Sequence, residues 1–230
     1  MTVYRYDLSK QPASFDFVVW LATVRSLGAT EIVLDDAHGF KHKFSKSRSV
    51  ERLDSIVIGA LKYFYIPWSF GSEGEEIPHR LDTALKVHRD IGMKKLPVKL
   101  EAGDYCTFTI RNMMKTPERN TSEAFRRFGE KHGVVIEDWS NKPISLGARM
   151  DLYRKAKMNY FGNNGPATLA YLSDIPYRIV KFASEGGASL AFLAKIGIKP
   201  GFQFPWKNDN QLILWKDDTW EVLENDYRSN

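Results

Sequence analysis

The chain has 230 residues, 43% apolar and 27% charged; these ordinary globular proportions argue against disorder and allow one large domain or two small ones. A net charge of +5 and a pI near 9.1 suit an anionic ligand such as a nucleotide, a phosphate or nucleic acid, but no Lys/Arg run stands clear of acids to select nucleic acid. The one cysteine, Cys106, excludes an intrachain disulfide framework and a cysteine-based zinc cluster, and no apolar run reaches the roughly 18 residues of a membrane-spanning helix.

Thr2 to Leu8 reads as a strand. Tyr4, Arg5 and Asp7 there replace the apolar core of a leader, so no signal peptide is expected and the chain reads as soluble and cytoplasmic. Ser14 is placed as the N-cap of a helix whose apolar face is Phe15, Phe17, Val18, Leu21, Ala22 and Val24, stopped near Gly28. Glu31 to Leu34 follows as a strand ending in Asp35 and Asp36, and this strand, helix, strand order points to a parallel sheet. After a polar, basic loop at Ala37 to Ser47, a helix is predicted over Val50 to Phe64, with Leu53, Ile56, Val57, Ala60, Leu61 and Phe64 turned inward. Ile66 to Glu76 reads as loop, His79 to Ile91 as a helix ended by Gly92, and Lys94 to Gly103 as a linker.

Beyond the linker the alternation sharpens. Strands are predicted at Tyr105 to Ile110, Val134 to Ile136, Asn159 to Phe161, Tyr177 to Phe182 and Gln211 to Trp215. Helices are predicted at Ser122 to Lys131, Leu146 to Lys157, Gly165 to Leu172, Ala188 to Ile196 and Trp220 to Asn225. The pattern implies a doubly wound parallel sheet, in which ligands bind beyond the carboxyl ends of the strands. Three such ends are chemically rich: Arg111-Asn112 followed by Arg119-Asn120, the loop Gly162 to Pro166, and Lys181 to Gly187.

The loop Gly162-Asn163-Asn164-Gly165-Pro166 is the sharpest feature. Gly and Asn tolerate positive φ, so a tight turn can aim backbone amides in one direction, and Pro at a first helical turn forfeits no hydrogen bond. Such a turn is either an anion site or a plain strand-to-helix connection. It matches neither the Gly-rich dinucleotide fingerprint nor the Lys-containing phosphate loop.

The run Met150 to Phe182, with this loop, a small-residue helix and Ile175-Pro176-Tyr177-Arg178-Ile179-Val180, resembles the second domain of GT-B glycosyltransferases of the heptosyltransferase-like kind. The resemblance covers about the last 125 residues; the first half matches only in its strand and helix order. It implies an α/β fold with two Rossmann-like parallel-sheet domains facing a cleft. Residues 1–100 would be the acceptor side and residues 101–230 the donor-nucleotide side. It further implies a nucleotide-sugar substrate, no separate cofactor, and an acceptor that could be a glycan or a nucleic acid. Under it, Asn163, Asn164, Gly165, Pro166 and Ala167 would touch the donor diphosphate, with Arg111 as a phosphate-binding cation. Lys181 and Glu185 would lie toward the nucleoside, where Glu185 could accept from ribose hydroxyls; an acid before a helix is its plainer reading.

An inverting transfer needs a general base, and the first half offers Asp16, Asp35, Asp36 and His38. His42, His79, His88 and His132 read as surface residues, Arg178 as a salt-bridge partner, and Asp217-Asp218 as an N-cap. No His-Glu-x-x-His or Asp-x-Asp segment occurs, so the mechanism is expected to be metal-independent. The aromatic stretch Gly201 to Asn208 fits either a ligand wall or the packing of a long crossover. The alternative function is a non-catalytic nucleotide- or nucleic-acid-binding protein, for which the basic stretches Lys41 to Arg52 and Arg111 to Arg127 would speak.

Overall fold

The computed structural model describes residues 2–35, 51–113, 117–138, 144–184 and 189–229. Asp36, His38, most of the basic stretch Lys41 to Arg52 and Glu185 lie outside the described residues. The chain divides into two compact units, residues 1–98 with 141–149, and residues 99–140 with 150–230. The divide falls within the predicted linker. The return of residues 141–149 to the first unit is not readable from a linear partition.

The first unit runs β1 (Val3–Asp7), α1 (Asp16–Ser26), β2 (Glu31–Asp35), a π-helical turn (Leu53–Ile58) continuing into α2 (Gly59–Tyr63), β3 (Trp68–Phe70), β4 (Glu75–Glu76) and α3 (Leu81–Ile91). Its sheet has four strands in the order β3-β2-β1-β4, all pairs parallel. Phe17 to Val24 are all buried in α1, and the Tyr6 ring stands edge-on to Phe17 and Trp20 at 4.8 and 5.0 Å between centroids. The stretch expected to be loop, Ile66 to Glu76, contains both edge strands. They are three and two residues long and largely exposed, too short to carry an alternating pattern. Gly74 (φ +111°) makes β4 possible, because a Cβ there would meet the Val3 carbonyl oxygen at 3.1 Å.

The second unit runs β5 (Cys106–Arg111), a 3₁₀ turn (Pro117–Arg119), α4 (Glu123–His132), β6 (Gly133–Asp138), α5 (Leu146–Lys155), β7 (Met158–Phe161), α6 (Ala167–Tyr171), β8 (Tyr177–Ile179), α7 (Leu190–Lys195), β9 (Gln211–Ile213) and α8 (Trp220–Ser229). The first four residues of α5 belong to the first unit and the remainder to the second. The five-stranded sheet is wholly parallel, in the order β6-β5-β7-β8-β9. The fold is therefore α/β with two Rossmann-like parallel sheets and, among the described residues, eight α-helices.

Every residue of β7 is buried, as expected of a strand covered on both faces. Phe108 and Tyr160 stack across β5 and β7 at 4.8 Å with ring planes 3° apart. α4 lies close over this pair, since a Cβ on Gly129 would come within 2.7 Å of the Phe108 side chain. Ser122 caps α4 as predicted, accepting from the Phe125 amide at 3.1 Å. Asp218 does not cap the helix that follows it. Its carboxylate accepts from the Ser122 amide, 96 residues away in sequence, and Thr219 caps α8 through the Val222 amide.

The aromatic stretch Gly201 to Asn208 is packed, with Phe204 stacked on Tyr171 at 4.2 Å and the Trp206 indole donating to the Tyr171 carbonyl at 2.6 Å. Arg178 and Asp226 form a 2.9 Å ion pair that also accepts the Tyr160 hydroxyl at 2.9 Å, as expected of a structural arginine. No helix among the described residues is long and apolar enough to cross a membrane.

Candidate functional site

In the second sheet β5 has its sequence neighbour β6 on one side and β7 on the other. Chain order therefore reverses between β5 and β7, and the loops leaving their carboxyl ends diverge to open a crevice. Arg111 ends β5, and Gly162 to Pro166 follows β7 directly. The sharpest motif in the sequence thus stands at the topological switch point of its sheet.

The loop is built by its own side chains. Asn164, 4% exposed, donates from Nδ2 to the Thr109 carbonyl at 3.3 Å and accepts the Ala167 amide on Oδ1 at 3.2 Å. Asn163 donates from Nδ2 to the Phe182 carbonyl, which ties the loop after β7 to the segment after β8. Thr168 and Leu169 donate to the carbonyls of Gly165 and Pro166 at 3.0 and 3.1 Å, so α6 starts later than predicted. The expected row of free amides is thus reduced. The Asn164 and Ala167 amides already have acceptors, Pro166 has no amide proton, and among the described residues the amides of Asn163 and Gly165, like that of Gly162, have no acceptor.

Positive charge gathers around these amides. The Arg119 guanidinium donates from Nη2 to the Asn163 carbonyl at 3.1 Å, and its Nε is buried without a partner. Lys181 Nζ donates to the Asn120 carbonyl at 2.6 Å. Neither cation forms an ion pair with a described carboxylate. Asn120 folds its loop back, accepting the Met113 amide on Oδ1 at 2.8 Å, and the Thr121 hydroxyl accepts the Arg111 amide at 3.2 Å. A cation held only by a neutral carbonyl has much to gain from an anion, because a charge-assisted bond is roughly twice as strong as a neutral one.

Two non-glycine residues at this edge have left-handed backbone, Lys181 (φ 47°) and Trp215 (φ 54°). They follow β8 and β9, and the Lys181 amide donates to the Lys216 carbonyl at 2.7 Å, which fixes both turns together. Such backbone is uncommon for a side chain like lysine and marks a position held by its surroundings. Beneath the loop, Asn159 is fully enclosed. It accepts the Thr107 hydroxyl at 2.6 Å and donates to the carbonyls of Tyr153 at 3.1 Å and Pro176 at 3.0 Å, binding β5, α5 and the entry to β8 to β7.

The structure brings together Arg111, Asn163, Asn164, Gly165, Pro166, Ala167 and Lys181 at one edge of the second unit. Arg119 is drawn in more firmly than its place in a loop suggested, and no local pattern announced its bond to Asn163. The described acids proposed as bases belong to the first unit. Asp16 stands in the first turn of α1 with the Ser14 hydroxyl donating to its Oδ2 at 2.7 Å. Asp35 is buried at the end of β2, in a 2.7 Å ion pair with Arg5.

Around Asp35 lies a network the sequence reading missed. Arg5 also pairs with Glu76 at 3.1 Å, and Lys10 bridges Asp7 at 2.9 Å and Glu76 at 3.1 Å. Burial alone would raise the Asp7 carboxyl; bonds from the Ser9 hydroxyl, Lys10 and the Ser9 amide prevail and hold it down at about 2. The available signal was that Asp7 ends its strand as Asp35 does, and parallel pairing sets the two side by side.

Among the described residues no cluster of His, Cys, Asp or Glu could hold a metal ion. Comparison with family models, with curated proteins and with solved structures finds no match for this chain.

Proposed function

We propose that the second unit binds a phosphate-bearing ligand beyond the carboxyl ends of β5 and β7, and that the ligand is the diphosphate of a nucleotide sugar. What supports this reading is the meeting, at a topological switch point, of Arg119 and Lys181 without described counter-charges and the open amides of Asn163 and Gly165. Arg111 ends the adjoining strand. In a transfer reaction these cations would neutralise the departing nucleoside diphosphate as the bond from the sugar's anomeric carbon to the phosphate oxygen breaks. The acceptor oxygen would form the new bond to that carbon, and its proton would pass to a carboxylate. Binding without transfer is the second reading, and it rests on the same cations.

The test is a thermal-shift series with inorganic pyrophosphate, nucleoside diphosphates and nucleotide sugars. A ligand that binds only the native state raises the melting temperature, by about 2.7 kcal/mol of stability at a hundredfold excess over Kd. A rise with nucleotide sugars, with release of nucleoside diphosphate over time, supports transfer. A rise without release supports binding alone, and no shift with any of the three classes defeats both readings.

A further inference from the structure

The two short helices of the second unit differ in one respect. Every residue of α6 is buried, whereas α7, equally apolar, turns only Leu193 inward. At about 100° per residue its other side chains follow one another round the outer arc in the order Leu190, Ala194, Ala191, Lys195, Phe192. All five are exposed, Leu190 by 52% and Phe192 by 47%. A helix apolar on every side is ordinarily covered on every side.

These side chains stand on a backbone that is well tied. The Ser189 hydroxyl caps α7, accepting from the Phe192 amide at 3.2 Å. At the other end the amides of Gly197 (φ 83°) and Ile198 donate to the carbonyls of Ala194 and Leu193 at 3.1 and 2.9 Å, a left-handed helix stop. The Phe202 amide then donates to the Lys199 carbonyl at 2.9 Å, closing a turn through Pro200 and Gly201 (φ 88°). Leu193 and Ile198 are buried and root the segment in the unit.

The charge along this segment has one sign. From Gly186 to Asn208 the chain has three lysines, Lys195, Lys199 and Lys207, and no acid. Lys195 and Lys199 are exposed, and neither pairs with a described carboxylate. An apolar face accompanied only by cations complements a surface that is apolar within and anionic at its rim. A groove on a partner protein would read a stripe of anchors spaced over several turns of helix. α7 is under two turns long and spreads its outer side chains over about 200° of arc, so it has no such stripe. A bilayer interface needs none, because it takes up apolar side chains wherever they protrude.

We propose that α7 and the turn after it dock on an anionic lipid bilayer. Leu190 and Phe192 enter the boundary between headgroups and acyl chains, and Lys195 and Lys199 meet the lipid phosphates. The lysine stems lie along the apolar layer while their ammonium groups stay at the level of the phosphates. The segment lies on the membrane and does not cross it. The inference does not depend on the anion site beyond β5 and β7.

The experiment is co-sedimentation of the full chain with vesicles of phosphatidylcholine, with and without phosphatidylglycerol, at low and at physiological salt. Saturable binding to the mixed vesicles is expected, about tenfold or more weaker to the neutral ones and weakened by salt. Leu190→Ser combined with Phe192→Ser should weaken it about tenfold or more, and Phe192→Trp should preserve it. Lys195→Gln combined with Lys199→Gln should abolish the preference for the anionic lipid. Each substituted side chain is exposed, so thermal melts of the variants should match the parent's. No binding to either vesicle, equal binding by the serine variant, or indifference to phosphatidylglycerol overturns the proposal. So does a dimer, seen by sedimentation velocity and lost in the serine variant, with vesicles left unbound; the face then belongs to a second copy. Vesicle binding is expected to persist in excess pyrophosphate at matched ionic strength. Its loss there would assign the lipid phosphates to the anion site and overturn this face, whereas pyrophosphate failing to bind at all refutes the anion site alone.

Discussion

Asn159 gives the sharpest test of how the loop after β7 is held. Asn159→Ala removes three bonds at once, from the Thr107 hydroxyl and to the carbonyls of Tyr153 and Pro176. The residue is fully buried, so water cannot replace the carboxamide, and each abandoned group costs roughly 1 kcal/mol or more. With a small cavity added, the loss comes to about 3–4 kcal/mol. Urea unfolding followed by circular dichroism should show the midpoint of the second unit's transition lowered, with its slope unchanged. Amide exchange at Gly162 to Thr168 should quicken, because these residues are carried on the strand that Asn159 pins. The double variant with Thr107→Val should lose less than the two single variants together, since both remove one shared bond. A midpoint within about 0.5 kcal/mol of the parent, or strict additivity with Thr107→Val, would refute the view that this buried amide holds the sheet to the loop.

Arg119→Met and Lys181→Met should each leave the melting temperature within a degree or two while weakening pyrophosphate binding, measured calorimetrically, by about tenfold or more, since each removes a charge-assisted bond. Asp7→Asn should lower stability by about 2 kcal/mol at neutral pH. Because the Asp7 carboxyl is held down at about 2, its contribution is present above the unfolded value near 4 and is lost as pH falls through 2, so the variant and parent should converge in acid melts. His132 is held below its ordinary value by burial, then by Lys131, so its neutral form is favoured in the fold. Stability should therefore fall as pH drops through about 6.5, and His132→Phe should remove that portion of the pH dependence. Tyr65 is 93% exposed with φ 53°, so Tyr65→Gly should raise stability by about 0.5–1 kcal/mol in urea melts by relieving left-handed strain.

The strands of the second unit were legible because each is a short apolar run between turn residues; Asn159 to Phe161 before Gly162 is the clearest. β3 and β4 were not, since strands of three and two exposed residues leave no periodic trace. The candidate loop could be found from its composition, but the duties of its two asparagines could not. Asn164 is turned inward to Thr109 and Ala167, whereas Asn163 is held by Arg119 and Phe182. The partners of Arg119 and Asp218 were hidden for a common reason, that each acts on a residue far along the chain. Asp218 reads locally as a cap for the helix after it, and only the folded sheet brings it to Ser122.

That last bond bears on how the protein is made. Synthesis proceeds from the amino terminus, and elements of this unit emerge long before the segment that completes them. Until Asp218 leaves the ribosome, α4 lacks the carboxylate on its Ser122 amide. Until Asp226 follows, the Tyr160 hydroxyl and the Arg178 guanidinium lack the acceptor that joins them. A nascent chain halted just short of α8 therefore holds five strands but not their closure, and α8 acts as a clasp that locks the unit only after every strand of its sheet has been made.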